Sequence, residues 1–361
     1  MNLRRAVVSV HLWIGLGASV VLLAASVTGA LMVWMGEIER ALNPHMHHVD
    51  ASEPRRPLEE SLAASRAAYP DGRVRGLVFP RGAEGPVSVA VGTTSGTTSV
   101  FVDPHTARVL GAHGQATGVM KIEAIHLTLL AGKTGGRIVA FVTLLGLFSA
   151  LSGLYLWWPL QVFRPRWGAG GWRRDFDLHA TIGFWTSALV VVITATGVVM
   201  AYNQWSRPLL QRLDGPRRAA AAPQSEPSSA SPLRLDEVVE RATAALPGAR
   251  VANFALPAGA KAPWRVQMKF PEDKTPGGRS VVYLDQFTGK VLQVESAREA
   301  GLGTRLFLLQ RSIHTGAVGG TPTQVLALVA CMALMAQVVT GILVWWRRPG
   351  APRRPGASTA A

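Results

Sequence analysis

Four apolar runs, each long enough to cross a bilayer, limit what this chain can fold into. They extend from about residue 6 to 35, 138 to 158, 178 to 202 and 325 to 346. A hydrocarbon core of about 30 Å takes about 20 helical residues. Hydrocarbon offers backbone amides no partner, so the runs are predicted as helices. The first run is much longer than the roughly 7–15 residues of a secretory signal core. It also contains His11, which has a counterpart inside a later run, so it is read as a retained helix. Only 16% of the residues are charged, against about a quarter in soluble domains. Disorder and a disulfide-built scaffold are excluded.

The net charge of +15 would suggest nucleic acid in a soluble chain, but its distribution is topological, and no nucleic acid is expected. The short segments outside the runs hold Arg4, Arg5, Arg164, Arg166, Arg173, Arg174, Arg347, Arg348, Arg353 and Arg354 against two acids, Asp175 and Asp177. With four spans these segments share one side, and the positive-inside rule makes it the cytoplasm, with both termini. Trp157, Trp158, Trp345 and Trp346 are expected as an interfacial belt there. The predicted order is helix 1–36, insert 37–135, helix 136–159, basic loop 160–177, helix 178–203, insert 204–320, helix 321–346 and basic tail 347–361. A flexible linker rich in Pro, Ala and Ser is expected at 215–232. The inserts then lie outside the cytoplasm. Residues 36–135 balance ten acids with ten bases, whereas 204–320 carry sixteen bases and ten acids, a hint of an anionic partner.

The two halves repeat. His11-Leu-Trp-Ile-Gly15 aligns with His179-Ala-Thr-Ile-Gly183, and Thr28-Gly29 with Thr196-Gly197, both at an offset of 168. Ser152-Gly-Leu-Tyr-Leu-Trp-Trp158 aligns with Thr340-Gly-Ile-Leu-Val-Trp-Trp346 at 188, as does His126 with His314. Val102-Asp-Pro-His-Thr-Ala-Arg-Val-Leu110 resembles Leu284-Asp-Gln-Phe-Thr-Gly-Lys-Val-Leu292. The fold class expected is an α-helical membrane protein, four transmembrane helices built from a duplicated helix–insert–helix unit with two small α+β modules outside. Parallel repeats imply a pseudo-two-fold axis along the membrane normal. Equivalent residues then face each other across it.

That axis pairs His11 with His179 near one face and His126 with His314 near the other. An ionisable residue at membrane depth is a functional candidate. Interhelical hydrogen bonding is the plain alternative. No Cys, Asp or Glu accompanies the pairs within the spans, which disfavours zinc. Haem suits two facing imidazoles in an apolar pocket. The only cysteine is Cys331, so covalent attachment through Cys-x-x-Cys-His is excluded and haem b, two per chain, is expected. Gly15, Gly183, Gly29 and Gly197 would let a flat macrocycle approach, or serve helix packing. Arg137, Lys133 and Arg311 are candidates for the propionates. The 32 residues from His126 to Trp158 exceed one span, so Gly132, Gly135 and Gly136 are expected to break the helix, as are Gly316, Gly319, Gly320 and Pro322 in the second half.

A further cluster, His45, His47 and His48, follows the first helix and could bind copper or iron, or be a solvated turn. His105 and His113 are expected at the surface. No nucleophilic triad, phosphate loop or dinucleotide fingerprint is present.

In His11-x-Trp-x-Gly15, Leu42-Asn-Pro-His-Met-His47, Ile125-His126 with Gly132-x-x-Gly135, Ser152-Gly-Leu-Tyr-Leu-Trp-Trp158, Ile313-His-Thr-Gly316 and Thr340-Gly341, taken in order, the chain resembles the PepSY-associated transmembrane family. The resemblance implies an inner-membrane protein linked to siderophore uptake, with PepSY-like modules in the periplasm. It further implies a di-haem reductase of ferric siderophores that releases Fe(II), with His11, His126, His179 and His314 as axial ligands. Some relatives carry a flavin reductase domain after the last span. None follows in this sequence, so a separate electron donor, a flavoprotein or a quinol, is expected. The rival readings are a non-redox accessory or transporter for the siderophore, a regulatory protein whose inserts bind an envelope partner, and a reductase of another metal such as copper.

Overall fold

Helix α1 (Leu3–Val33) runs unbroken for 31 residues with no proline. Its hydroxyls are satisfied on its own backbone: Ser26 Oγ donates to the Leu22 carbonyl at 2.8 Å and Thr28 Oγ1 to that of Ala24 at 2.6 Å. A polar side chain survives in an apolar helix on those terms. The computed structural model describes residues 3–80, 82, 84–94, 96–113, 118–215, 222–275 and 277–349. After α1 come α2 (Met35–Leu42), α3 (Leu58–Ala68), β1 (Arg73–Val78), β2 (Val87–Thr93), β3 (Gly96–Val102) and β4 (Val109–His113). Then follow α4 (Gly118–Thr128), α5 (Gly132–Trp157), α6 (Gly171–Ala201) and α7 (Asn203–Gln211). The order closes with α8 (Leu235–Ala245), β5 (Arg250–Ala255), β6 (Trp264–Lys269), β7 (Ser280–Leu284), β8 (Val291–Glu295), α9 (Leu302–His314) and α10 (Thr321–Trp346). The chain divides into two units. One comprises Met1–Val33, Glu123–Asn203 and Ile313–Ala361, the other Trp34–Ile122 and Gln204–Ser312.

The first unit holds the four helices long and apolar enough to cross a membrane: α1, α5, α6 and α10. Helix α1 packs on α5 and α10, and α6 packs on the same two, so α1 and α6 are diagonal partners. Ala18, Leu22, Val142 and Val338 fill the centre. Val20, Phe141, Trp185 and Met332 are exposed on the outside, which a bilayer solvates and water does not. Helix α4 is separated from α5 at Leu129 and Leu130, both left-handed with φ of 51° and 60°, and at Gly132. Gly135 and Gly136, expected to break this helix, lie inside α5 instead. Gly135 is needed there because the Thr128 carbonyl occupies the space of a Cβ. In the second half Gly316 and Gly320, at φ of 73° and 68°, flank a 3-10 turn before α10.

The second unit departs from two separate modules. Both inserts enter one antiparallel sheet of eight strands, ordered β4-β3-β2-β1-β5-β6-β7-β8. The seam is β1 on β5, pairing Gly76 with Ala255, Leu77 with Phe254 and Val78 with Asn253. A Cβ on Gly76 would collide with the Phe254 carbonyl oxygen, so glycine permits the close approach. Alternate residues such as Val89, Val91, Val100, Val266 and Val282 point into one core with Leu62 of α3 and Val238 of α8. The two helices cap each other. Asp236 accepts the Leu58 N–H at 3.3 Å, and Glu59 accepts the Leu235 N–H at 2.6 Å. Each carboxylate thus serves an orphan donor of the other insert's helix. Burial, with the nearby Glu59 charge adding to it, raises the Asp236 carboxyl above its ordinary range.

The repeated turns match closely. Asp103 N–H donates to Arg108 O and Asp285 N–H to Lys290 O, both at 2.9 Å. The Asp285 carboxylate accepts from the amides of Phe287, Thr288 and Glu226. Burial opposes ionisation, but these donors outweigh it and hold the group at about 2. The left-handed position is Ala107 (φ 58°) in one turn and Gly289 (φ 70°) in the other. Of the expected linker, 216–221 lie outside the described residues, as do Arg353 and Arg354. Within the described part of that stretch Ser225 is buried, its N–H donates to Lys261 O at 2.9 Å, and its Oγ accepts the Gln286 N–H at 2.8 Å.

Three outcomes follow from these contacts. Left-handed backbone costs an L residue about 1–2 kcal/mol, and glycine returns about 0.5–1 of that as backbone entropy. Ala107→Gly should therefore slow hydrogen exchange at the β3–β4 turn by up to about 1 kcal/mol of opening energy. Gly289→Ala should speed exchange at the β7–β8 turn, since its Cβ would also meet Arg241 Cδ at 2.4 Å. Asp236→Asn keeps an acceptor for Leu58 and removes the like charge. A raised carboxyl pKa lowers stability as pH rises through it. The variant should therefore melt higher than the parent at pH 7, and the gain should vanish below the carboxylate range.

Candidate functional site

His11 projects from α1 and His179 from α6, the diagonal pair of the bundle. Their ring centroids lie 6.3 Å apart with the planes at 76°. His126, on α4, and His314, the last residue of α9, stand 6.3 Å apart at 60°. The structure thus brings together both pairs read from the repeat.

The same support holds each ring. His126 Nδ1 lies 2.9 Å from the Ala25 carbonyl and 3.1 Å from Thr28 Oγ1. His314 Nδ1 lies 3.0 Å from the Ile193 carbonyl and 3.1 Å from Thr196 Oγ1. A carbonyl only accepts, so Nδ1 carries the proton in both. His11 Nδ1 meets Ser152 Oγ at 2.9 Å, and His179 Nδ1 meets Thr340 Oγ1 at 3.0 Å. Those hydroxyls already donate to the Ser149 and Ala336 carbonyls, so they accept from Nδ1–H. All four imidazoles are fixed as the tautomer that would take a metal through Nε2, with the other nitrogen anchored as metal-binding histidines anchor it.

A glycine follows each of these hydroxyl residues and lies against the ring. A Cβ on Gly29 or Gly197 would stand 3.2 or 3.3 Å from Cε1 of His126 or His314. On Gly153 or Gly341 it would stand 3.3 Å from Cε1 of His11 or His179. Gly29 and Gly197, expected beside a macrocycle, therefore seat imidazoles. Gly153 and Gly341 do the same work, which their sequence alone did not reveal. Gly15 faces open space, and Gly183 lies against Gln337, whose amide donates to the His179 carbonyl at 2.9 Å.

The spacing can be tested against an iron held from both sides. A ring nitrogen binds a transition metal at about 2 Å, so two axial imidazoles place their centroids about 6 Å apart. Both pairs meet that separation. Among the described residues, neither pair gathers a third His, Cys, Asp or Glu, as a zinc site would. Lys133 and Arg137 stand exposed at the start of α5, and Arg311 is exposed on α9.

The remaining expectations change. His45 and His48 are exposed and do not join His47. His47 instead faces Glu39 and His113. His113 is the last residue of β4 and only 13% exposed, and His105 is buried with Nδ1 on the Glu53 carbonyl. Neither is a surface residue: the Glu53 carbonyl holds His105, and His113 lies against Phe101 and Glu39. Burial, against the pull of Glu39, lowers the His47 pKa below its ordinary value. Trp158 and Trp346 are exposed, but Trp157 is buried, stacked on Phe184 with centroids 3.8 Å apart. Asp175 and Asp177 are likewise buried. Asp177 takes Arg166 at 2.8 Å and Arg173 at 3.1 Å, and Asp175 takes Arg347 at 2.7 Å, which pins the basic loop to α6 and α10.

The family model described as the PepSY-associated TM region matches residues 8–348. No curated protein matches the chain.

Proposed function

The chain belongs to the PepSY-associated transmembrane family and is a multi-pass membrane protein, and we propose that it is a b-type haem protein of a bacterial inner membrane that reduces periplasmic ferric siderophore and releases Fe(II). The observation that carries this reading is the pair of imidazole pairs, each 6.3 Å across and each ring anchored through Nδ1. A packing role alone gives no reason for both pairs to share that spacing and that tautomer. The repeated Ser/Thr-Gly support favours a duplicated unit about a pseudo-two-fold axis. The basic segments support an orientation with the His11–His179 pair toward the cytoplasm and the inserts in the periplasm.

His11, His179, His126 and His314 would hold two haems, which when bound supply reversible one-electron transfer between the two faces. The protein's own contribution is positional. Ser152, Thr340, Thr28 and Thr196 hold the Nδ1 proton and set each ring's rotation. Gly153, Gly341, Gly29 and Gly197 leave room for that rotation. The apolar bundle excludes water from the imidazoles. Siderophores bind Fe(III) through hard oxygen donors that suit Fe(II) less. Delivering one electron therefore loosens the metal without an acid, base or nucleophile, and the sequence has none arranged for such work.

The test is vectorial. Proteoliposomes enclosing dithionite, with a ferric hydroxamate siderophore and a coloured Fe(II) chelator outside, should form external Fe(II). His11→Ala, His179→Ala, His126→Ala and His314→Ala should each cut the rate at least tenfold. A rate equal to that of protein-free vesicles, or one indifferent to all four changes, would overturn the proposal.

A further inference from the structure

Glu39, His47 and His113 come from three separate elements and meet inside the sheet-bearing unit. Glu39 lies on α2, His47 follows the 3-10 turn at Pro44–Met46, and His113 ends β4. Met46 is buried over Gly111, where any side chain would strike its Sδ. That contact seats the turn on β4 and sets His47 beside His113. Phe101 packs its ring against both imidazoles, with centroids 5.0 and 5.3 Å away. Glu39 Oε1 is 3.3 Å from His47 Nε2 and 2.8 Å from His113 Nε2. All three atoms fall within 4.8 Å of one another. Both Nε2 atoms are buried from solvent beside Glu39 Oε1, yet neither contact has hydrogen-bond alignment.

Buried ring nitrogens left without hydrogen bonds are costly unless something else satisfies them. A cation would. Ligand atoms around a tetrahedral ion, bonded at about 2.0–2.2 Å, lie about 3.3–3.5 Å apart. The cluster needs little adjustment to reach that. Two imidazoles select a transition ion over calcium or magnesium, and one carboxylate leaves coordination positions open.

We propose that Glu39, His47 and His113 form a binding site for one divalent first-row transition cation. The site requires no haem and shares no residue with the four membrane histidines. On the proposed function that cation is the Fe(II) the protein releases, and this assignment alone rests on that function.

Zinc is the probe, because it is counted separately from haem iron. The full chain, purified in detergent and stripped with a chelator, is dialysed against ZnCl2 and its metal measured by mass spectrometry. One zinc per chain is expected, and the stripped protein should take up one Fe(II) anaerobically beyond any haem iron. Glu39→Gln, which preserves size and removes the charge, and His113→Ala should each weaken zinc binding at least tenfold. His48→Ala, at an exposed side chain, should leave it unchanged. No zinc uptake by the parent, or uptake indifferent to Glu39→Gln, would overturn the site. Zinc bound at this site by a protein that takes up no haem would sustain it and leave only the proposed function refuted. Zinc binding without Fe(II) uptake by the stripped protein would remove the Fe(II) assignment.

Discussion

Four Nδ1–H hydrogen bonds organise the membrane half of this protein. Hydrocarbon leaves no polar group to water, so each imidazole in the bundle must find its partner on a neighbouring helix. Each finds a Ser or Thr hydroxyl, with a glycine beside it to admit the ring. Helix α5 supplies this seat for His11, α1 for His126, α10 for His179 and α6 for His314. The exchange ties α1 to α4 and α5, and α6 to α9 and α10, and fixes the tautomer of every histidine. Packing, polarity and the proposed cofactor chemistry therefore depend on the same twelve residues.

The sheet unit uses reciprocity in another form. Its two halves arrive from inserts far apart in the chain, yet share a seam at β1 and β5 and exchange carboxylate caps between α3 and α8. Neither insert closes its core alone. Val89 and Val100 from the first and Val266 and Val282 from the second are sealed in one layer. This accounts for the tight tolerance at Gly76, where two backbones meet.

Much of the bundle was legible in the sequence, because apolar length and histidine spacing are local properties. The offsets of 168 and 188 brought His11 to His179 and His126 to His314 without coordinates. What the offsets could not show was the tautomer, which depends on the hydroxyls of other helices. The joint sheet was missed because strand partners are set by long-range pairing, and nothing in Arg73–Val78 announces Arg250–Ala255 as its neighbour. The histidines at 45, 47 and 48 misled for a similar reason. Adjacency along the chain put them together, whereas a 3-10 turn sends only His47 inward, to partners 8 residues before it and 66 after. Trp157 was read as an interfacial anchor from its place at a helix end, but Phe184 of α6 stacks over it. Asp175 and Asp177 were counted as minor charges, and burial makes them the anchors of the basic loop.

The central claim is that the two imidazole pairs hold haem. The most direct measurement is a reduced-minus-oxidised absorption spectrum of the detergent-purified chain with its haem-to-protein ratio, after expression with ample haem. The account predicts sharp low-spin b-type bands and about two haems per chain. A colourless protein, or haem that is high-spin and binds carbon monoxide readily, would contradict it.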